Sequence, residues 1–83
     1  MYWTYILKLN NKAYYVGSTN NLTQRLEYHR KGRVYSTKNK LPFVLSFSKK
    51  FNTRGEAQSL EYKVKKCKSS RAIERLINTG PIV

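Results

Sequence analysis

Acidic residues are scarce in this chain. Four stand against seventeen lysines and arginines in 83 residues, a formal charge of +13. The basic residues run along the whole length instead of gathering in a tail. A surface of this kind expects a polyanion, because each phosphate that it neutralises releases condensed counterions. Nucleic acid is the expected partner, although charge alone does not separate a binding module from an enzyme. Cysteine is nearly absent too. Cys67 stands alone, which excludes a disulfide framework and a Cys–His zinc cluster. A reducing, cytoplasmic setting is expected, nucleoid-associated if the source is bacterial. No apolar run approaches the ~20 residues of a membrane span, and the first residues lack a signal-peptide pattern. No repeat, linker or low-complexity segment interrupts residues 1–83, so a single domain is expected.

Seven tyrosines, three phenylalanines, one tryptophan and well-spaced Leu, Ile and Val are present. They are enough for a modest core and exclude a disordered basic tail. Residues 2–9 (YWTYILKL) read as a strand buried on both faces, since they are almost continuously apolar and rich in aromatic and β-branched types. Asn10-Asn11 marks a turn, and residues 13–17 (AYYVG) resume strand character to make a hairpin. Gly17 is read as its end, where the chain bends. Asn20 and Asn21 offer caps to a helix running to about Gly32. Residues 33–41 are basic and polar and read as a mobile loop, and Pro42 opens a third strand, PFVLSFSK. Thr53 and Glu56 have capping-box spacing before a second helix with Ala57, Leu60, Val64 and Cys67 on one stripe. Ser69 and Ser70 break it and cap a third helix over about 71–78, packed through Ile73, Leu76 and Ile77 and ended by Gly80 and Pro81. The expected fold is α/β of the α+β kind: a small three-stranded sheet flanked by helices, in the order β-β-α-β-α-α.

The first helix carries a warning. Leu22 and Leu26 define its apolar stripe, and helical periodicity puts Arg25 and His29, the only histidine, on that same stripe. Turning a cation inward is costly unless an anion meets it. A phosphate would. Of the four acids, Glu27 falls on the opposite side of that helix, Glu56 serves the cap, and Glu74 sits near a helix start. Glu61 differs, lying about 40° from Ala57 at the edge of the apolar stripe. A carboxylate there suits a hard divalent cation, or else an internal ion pair with Arg25. Tyr5 and Tyr15 read either as ordinary strand aromatics or as phenols that handle a proton. His29 reads either as a satisfied core-edge histidine or as a proton-transfer group.

Taken in order, these residues resemble the GIY-YIG nuclease superfamily. Within it they are similar to small proteins akin to the catalytic domains of repair and structure-specific endonucleases. Trp3-Thr4-Tyr5 stands where the family has Gly-Ile-Tyr, and Tyr15-Val16-Gly17 where it has Tyr-Ile-Gly. GSTNNLTQRLEYH looks like the family helix with Arg25 and His29 at its two functional positions, and EAQSLE like the segment that ends in the metal-binding glutamate, here Glu61. The resemblance covers residues 2–77. It departs at Trp3-Thr4 and at His29, where many relatives carry tyrosine. A family asparagine has no match either, because Asn78 lies near its place at a different spacing.

The resemblance implies Mg²⁺-dependent (or Mn²⁺-dependent) hydrolysis of DNA phosphodiesters, structure-specific or related to repair. Glu61 would hold the metal and Arg25 would clamp the scissile phosphate. Tyr5 would orient or deprotonate the attacking water, with Tyr15 beside it and His29 as helper or rival base. Gly17 would support the site. Arg25 with Lys38, Lys40, Lys49, Lys50, Lys63, Lys65, Lys66 and Lys68 would bind the nucleic acid, DNA ahead of RNA. A domain this small would borrow specificity from DNA shape or from a protein partner. The competing classes are a non-catalytic DNA- or RNA-binding module that keeps the fold, and a ribosome- or RNA-associated accessory protein. Neither explains an inward glutamate.

Overall fold

Three antiparallel strands and three helices alternate in the order expected. A computed structural model of the chain describes residues 1–35, 37–66 and 70–78. The readings made on Cys67, Lys68, Ser69, Gly80 and Pro81 lie outside the described residues. Strand β1 (Tyr2–Lys8) and strand β2 (Tyr14–Thr19) form the hairpin, α1 (Leu22–Arg30) follows, and then come β3 (Val44–Phe51), α2 (Arg54–Lys66) and α3 (Ser70–Asn78). The sheet order is β2-β1-β3. This order explains the apolar run of β1: the strand is central, and Thr4, Tyr5, Ile6 and Leu7 are all buried.

Pleating sends alternate residues of β1 to opposite faces. Tyr5 and Leu7 join Leu9 and Leu26 in one apolar cluster, with Leu22 and Phe43 against it. Ile6 joins Val16, Phe47 and Val64 in another, against which Leu60, Ile73, Leu76 and Ile77 pack. Helix α1 therefore covers one face, and α2 and α3 cover the other. A 2.6 Å hydrogen bond from the Thr4 hydroxyl to the Ala57 carbonyl fastens β1 to α2.

Local chemistry sets the helix ends. Asn21 Oδ1 accepts from the Gln24 N–H at 3.1 Å and caps α1. At its other end Gly32 takes a φ of 72°. The Gly32 N–H reaches the His29 carbonyl and the Arg33 N–H reaches that of Tyr28, as in a Schellman motif. Thr53 Oγ1 accepts from the Glu56 N–H at 3.3 Å and donates to its carboxylate at 2.9 Å, so the expected cap of α2 is formed.

Two readings change. Gly17 does not end the hairpin, since β2 runs on to Thr19 and Gly17 pairs directly with Tyr5. A Cβ on Gly17 would stand 2.6 Å from the Tyr5 hydroxyl oxygen and 2.7 Å from its ring carbon Cζ. The glycine leaves room for that ring, and no turn is involved. The basic segment after α1 is not a free loop either. Thr37 is fully buried within it, and the Lys40 carbonyl accepts from the Asn10 N–H at 2.8 Å, tying the segment to the hairpin turn.

Candidate active site

The Tyr5 hydroxyl is where the elements converge. Arg25 Nε, from α1, donates to it at 3.4 Å, and His29 Nε2 lies 3.1 Å away. One helical turn separates Arg25 from His29, so both meet the strand residue below. Gly17 provides the space for the ring. The Tyr15 ring stands 6.3 Å from that of Tyr5 and 5.1 Å from that of His29, completing an aromatic wall with Phe43.

His29 is enclosed and has no solvent-exposed surface. Its Nδ1 lies 2.8 Å from Thr37 Oγ1, and the Thr37 hydroxyl donates to the Val34 carbonyl at 3.4 Å. That assignment makes Thr37 the acceptor of an Nδ1–H, which leaves the Nε2 lone pair to accept the Tyr5 O–H. A continuous chain results: Arg25 donates to Tyr5, Tyr5 to His29, His29 to Thr37 and Thr37 to the backbone. Burial, and then the Arg25 charge, bring the His29 pKa down to about 4. The imidazole is therefore neutral at physiological pH. Burial pushes the Tyr5 phenol up, against the opposing hydrogen bond from Arg25. The Tyr5 contact in turn raises Arg25 further, so the guanidinium stays charged.

A cleft of about 520 Å³ opens beside this junction, lined by Tyr5, Tyr15, Gly17, Arg25, Gln58 and Glu61 among others. His29 is not part of its lining and lies behind Tyr5. Glu61 enters from α2 on the opposite face of the sheet, around the edge of β2. Its Oε1 accepts from the Ser18 hydroxyl at 2.6 Å, and its Oε2 pairs with Lys65 at 2.7 Å. Burial works against the carboxylate, but the hydrogen bonds from Lys65 and Ser18 and the Lys65 charge outweigh it and lower the pKa. The expected alternative, a pair with Arg25, is not formed; the partner is Lys65, one turn along the same helix.

The cleft thus presents a guanidinium, a phenol and an ionised carboxylate to one space. That set suits a phosphodiester, and a divalent cation at the carboxylate would have to displace Lys65 from Oε2. Among the described residues no three His, Cys, Asp or Glu side chains cluster to hold a metal. Glu61 alone fits Mg²⁺, which keeps most of its waters and binds through one or two carboxylates together with substrate phosphate.

The residues singled out for binding divide. Lys65 is engaged by Glu61. Lys49, Lys50 and Lys63 line a different groove of about 1030 Å³ between β3, α2 and α3. The ammonium groups of Lys38 and Lys66 lie over the exposed rings of Tyr35 and Tyr62, and Lys40 is exposed. Two partners were not foreseen. Ser18 carries a weak signal, being the residue after Gly17 and so facing away from Tyr5. Thr37 carries none, because only the tertiary fold brings it to His29. No helix among the described residues is long and apolar enough to cross a membrane.

Comparison with known proteins supplies the family. The GIY-YIG catalytic domain family matches residues 1–74. A UPF0213 protein of Nitratidesulfovibrio vulgaris is 33% identical over 81 residues, which span 96% of this chain and 74% of the relative. Another, from Listeria welshimeri, is 40% identical over 76 residues, spanning 86% and 84%. The solution NMR structure of a UPF0213 protein from Bacillus halodurans superposes with a TM-score of 0.62 at 32% identity, covering 98% of this chain and 89% of that one. With a catalytic-domain match over nearly its whole length and relatives at 33% and 40% identity, the chain belongs to the GIY-YIG nuclease family, alongside the small UPF0213 proteins.

Proposed function

We propose that the protein is a Mg²⁺-dependent endonuclease that hydrolyses DNA phosphodiesters in the cleft beside Tyr5. The observation that carries this reading is the hydroxyl of Tyr5, held between a charged Arg25 and a neutral His29 at the wall of a cleft that also presents Glu61. A binding surface needs none of that proton wiring.

Arg25 holds a non-bridging oxygen of the scissile phosphate, and its fixed charge meets the negative charge that develops there. Tyr5 is the group that faces the cleft, so it orients the attacking water and takes its proton. Burial disfavours a standing phenolate, and Tyr5 therefore passes its own proton to His29 Nε2 as it receives the water's. His29 reaches the reaction only through Tyr5, which makes it a helper and not a rival base. A phosphate on Arg25 also offsets the charge that helps to hold the His29 pKa down, so the imidazole accepts a proton more readily with substrate in place. Glu61 would hold the metal ion, which when bound polarises the phosphate and stabilises the leaving oxygen.

Glu61→Gln separates metal binding from DNA binding. The amide can still accept from Ser18, so the variant should melt like the wild type. Cleavage of branched, single-stranded and duplex DNA in Mg²⁺ should fall to the level seen in EDTA, while affinity for DNA stays the same or rises slightly. Near-normal cleavage by this variant would overturn the role of Glu61. Tight DNA binding by a wild-type protein that cuts none of the three substrates would make it a binding module.

A further inference from the structure

Trp3 is the only tryptophan, and it stands where the family motif has glycine. It precedes Tyr5 by two residues, so both side chains leave the same face of β1, roughly 7 Å apart along the strand. The strand is central, and Trp3 has a direct partner on each side, Thr19 of β2 and Lys50 of β3. Thr19 lines the cleft that holds Arg25 and Glu61, and Trp3 flanks that cleft through Thr19 without lining it. The exposed Lys50, which also lines the groove between β3, α2 and α3, places its ammonium 5.7 Å from the centre of the indole. Trp3 is only partly buried and belongs to neither apolar cluster. Core packing therefore does not account for it.

We infer that Trp3 and Lys50 form a nucleotide subsite beside the cleft. The indole stacks an unpaired base of the strand whose phosphate lies at Arg25, and Lys50 moves from the ring to a neighbouring phosphate. Aromatic faces beside cations bind single strands in this way, with little preference among bases, because every base has a π-face. A base held in a duplex cannot offer that face. The substrate class is then DNA that is single-stranded or locally unpaired next to the cut. This inference rests on the nuclease reading only for the identity of the cleft as the phosphate site.

The sole tryptophan is its own probe. Fluorescence of Glu61→Gln protein in EDTA is titrated with a 12-nucleotide oligothymidylate and with the same strand in a duplex. The single strand should quench Trp3. Trp3→Leu should bind it about 5- to 100-fold more weakly and Trp3→Phe by an intermediate amount, while affinity for the duplex changes less than about twofold in either variant, a small fraction of a stacking contact. Lys50→Ala should reduce the salt slope for the single strand by about one. Should Trp3→Leu fail to fold, quenching of the parent and the affinity of Trp3→Phe decide the matter. Absence of quenching, unchanged single-strand affinity in a folded variant, or equal losses on both DNAs would each overturn the subsite. A protein that stacks a base yet never cuts would sink the nuclease reading alone, and one that cuts without quenching would sink the subsite alone.

Discussion

Gly17→Ala adds a single methyl group, and the structure decides its sign. In an open strand, alanine in place of glycine is neutral or stabilising by about 0.5–1 kcal/mol, since it restricts the unfolded chain. Here the new Cβ would sit 2.6 Å from the Tyr5 hydroxyl oxygen, 2.7 Å from Cζ and 3.1 Å from Cε1. All three atoms belong to one rigid phenol group, and Tyr5 is only 1% exposed and packed with Leu7, Leu9 and Leu26, so the ring can move only at the cost of that packing. Overpacking of this kind costs about 1–3 kcal/mol. For a domain of this size the loss should lower the melting midpoint by about 4–24 °C, at about 4–8 °C per kcal/mol. Displacing the ring also pulls the hydroxyl from Arg25 Nε and His29 Nε2, so DNA cleavage should fall further than stability explains. Urea denaturation and single-turnover cleavage, measured below the melting range, separate the two effects. A double-mutant cycle sharpens the test, because in a Tyr5→Leu background the methyl group meets a smaller side chain and Gly17→Ala should cost little. A stabilised or fully active Gly17→Ala protein would refute the packing argument, as would an equal penalty in both backgrounds.

Further predictions concern the buried relay. The His29 pKa drops from 6.5 to about 4 on folding, so the unfolded chain takes up the proton first as pH falls. The stability held by neutral His29 is fully present above pH 6.5 and is lost through the window from 6.5 to 4. The loss should reach about 2 kcal/mol at pH 5 by linkage, and urea midpoints at pH 7 and 5 read it in the wild type but not in His29→Leu. Equal midpoint shifts in the two proteins would remove His29 as the cause. Thr37→Val strips His29 Nδ1–H of its acceptor inside the core and should cost about 1–3 kcal/mol. The same change frees the imidazole to adopt the other tautomer, so kcat should fall and its pH profile move while KM for DNA holds. Unchanged kcat would confine Thr37 to a packing role.

Much of this was legible before folding because it is periodic. Helical spacing alone turned Arg25 and His29 inward with Leu22 and Leu26, and the almost continuous apolar run of residues 2–9 marked a strand covered on both sides. The caps at Asn21 and Thr53 were readable because each joins residues three apart. Gly17 was misread for the opposite reason. In sequence a glycine at the end of a strand pattern looks like a turn, and nothing local says that a tyrosine twelve residues earlier will lie across it. Lys65 reads from the sequence as a phosphate contact, and the structure adds that it lies one turn from Glu61 and pairs with it.

What the sequence by itself determined, then, is the order of elements, the face each presents and the membership of the family motif, since these depend on residues within a turn or two of one another. The tertiary structure alone decided how the faces meet. It put His29 behind Tyr5 instead of in the cleft, brought Thr37 back to fix the imidazole, and carried Glu61 round the edge of β2 to Ser18, 43 residues away in the chain. Those contacts depend on how helices dock across the sheet and how Thr37 and Lys40 are held against it. Docking of that kind is set by the packing of whole elements against one another, and no local spacing encodes it.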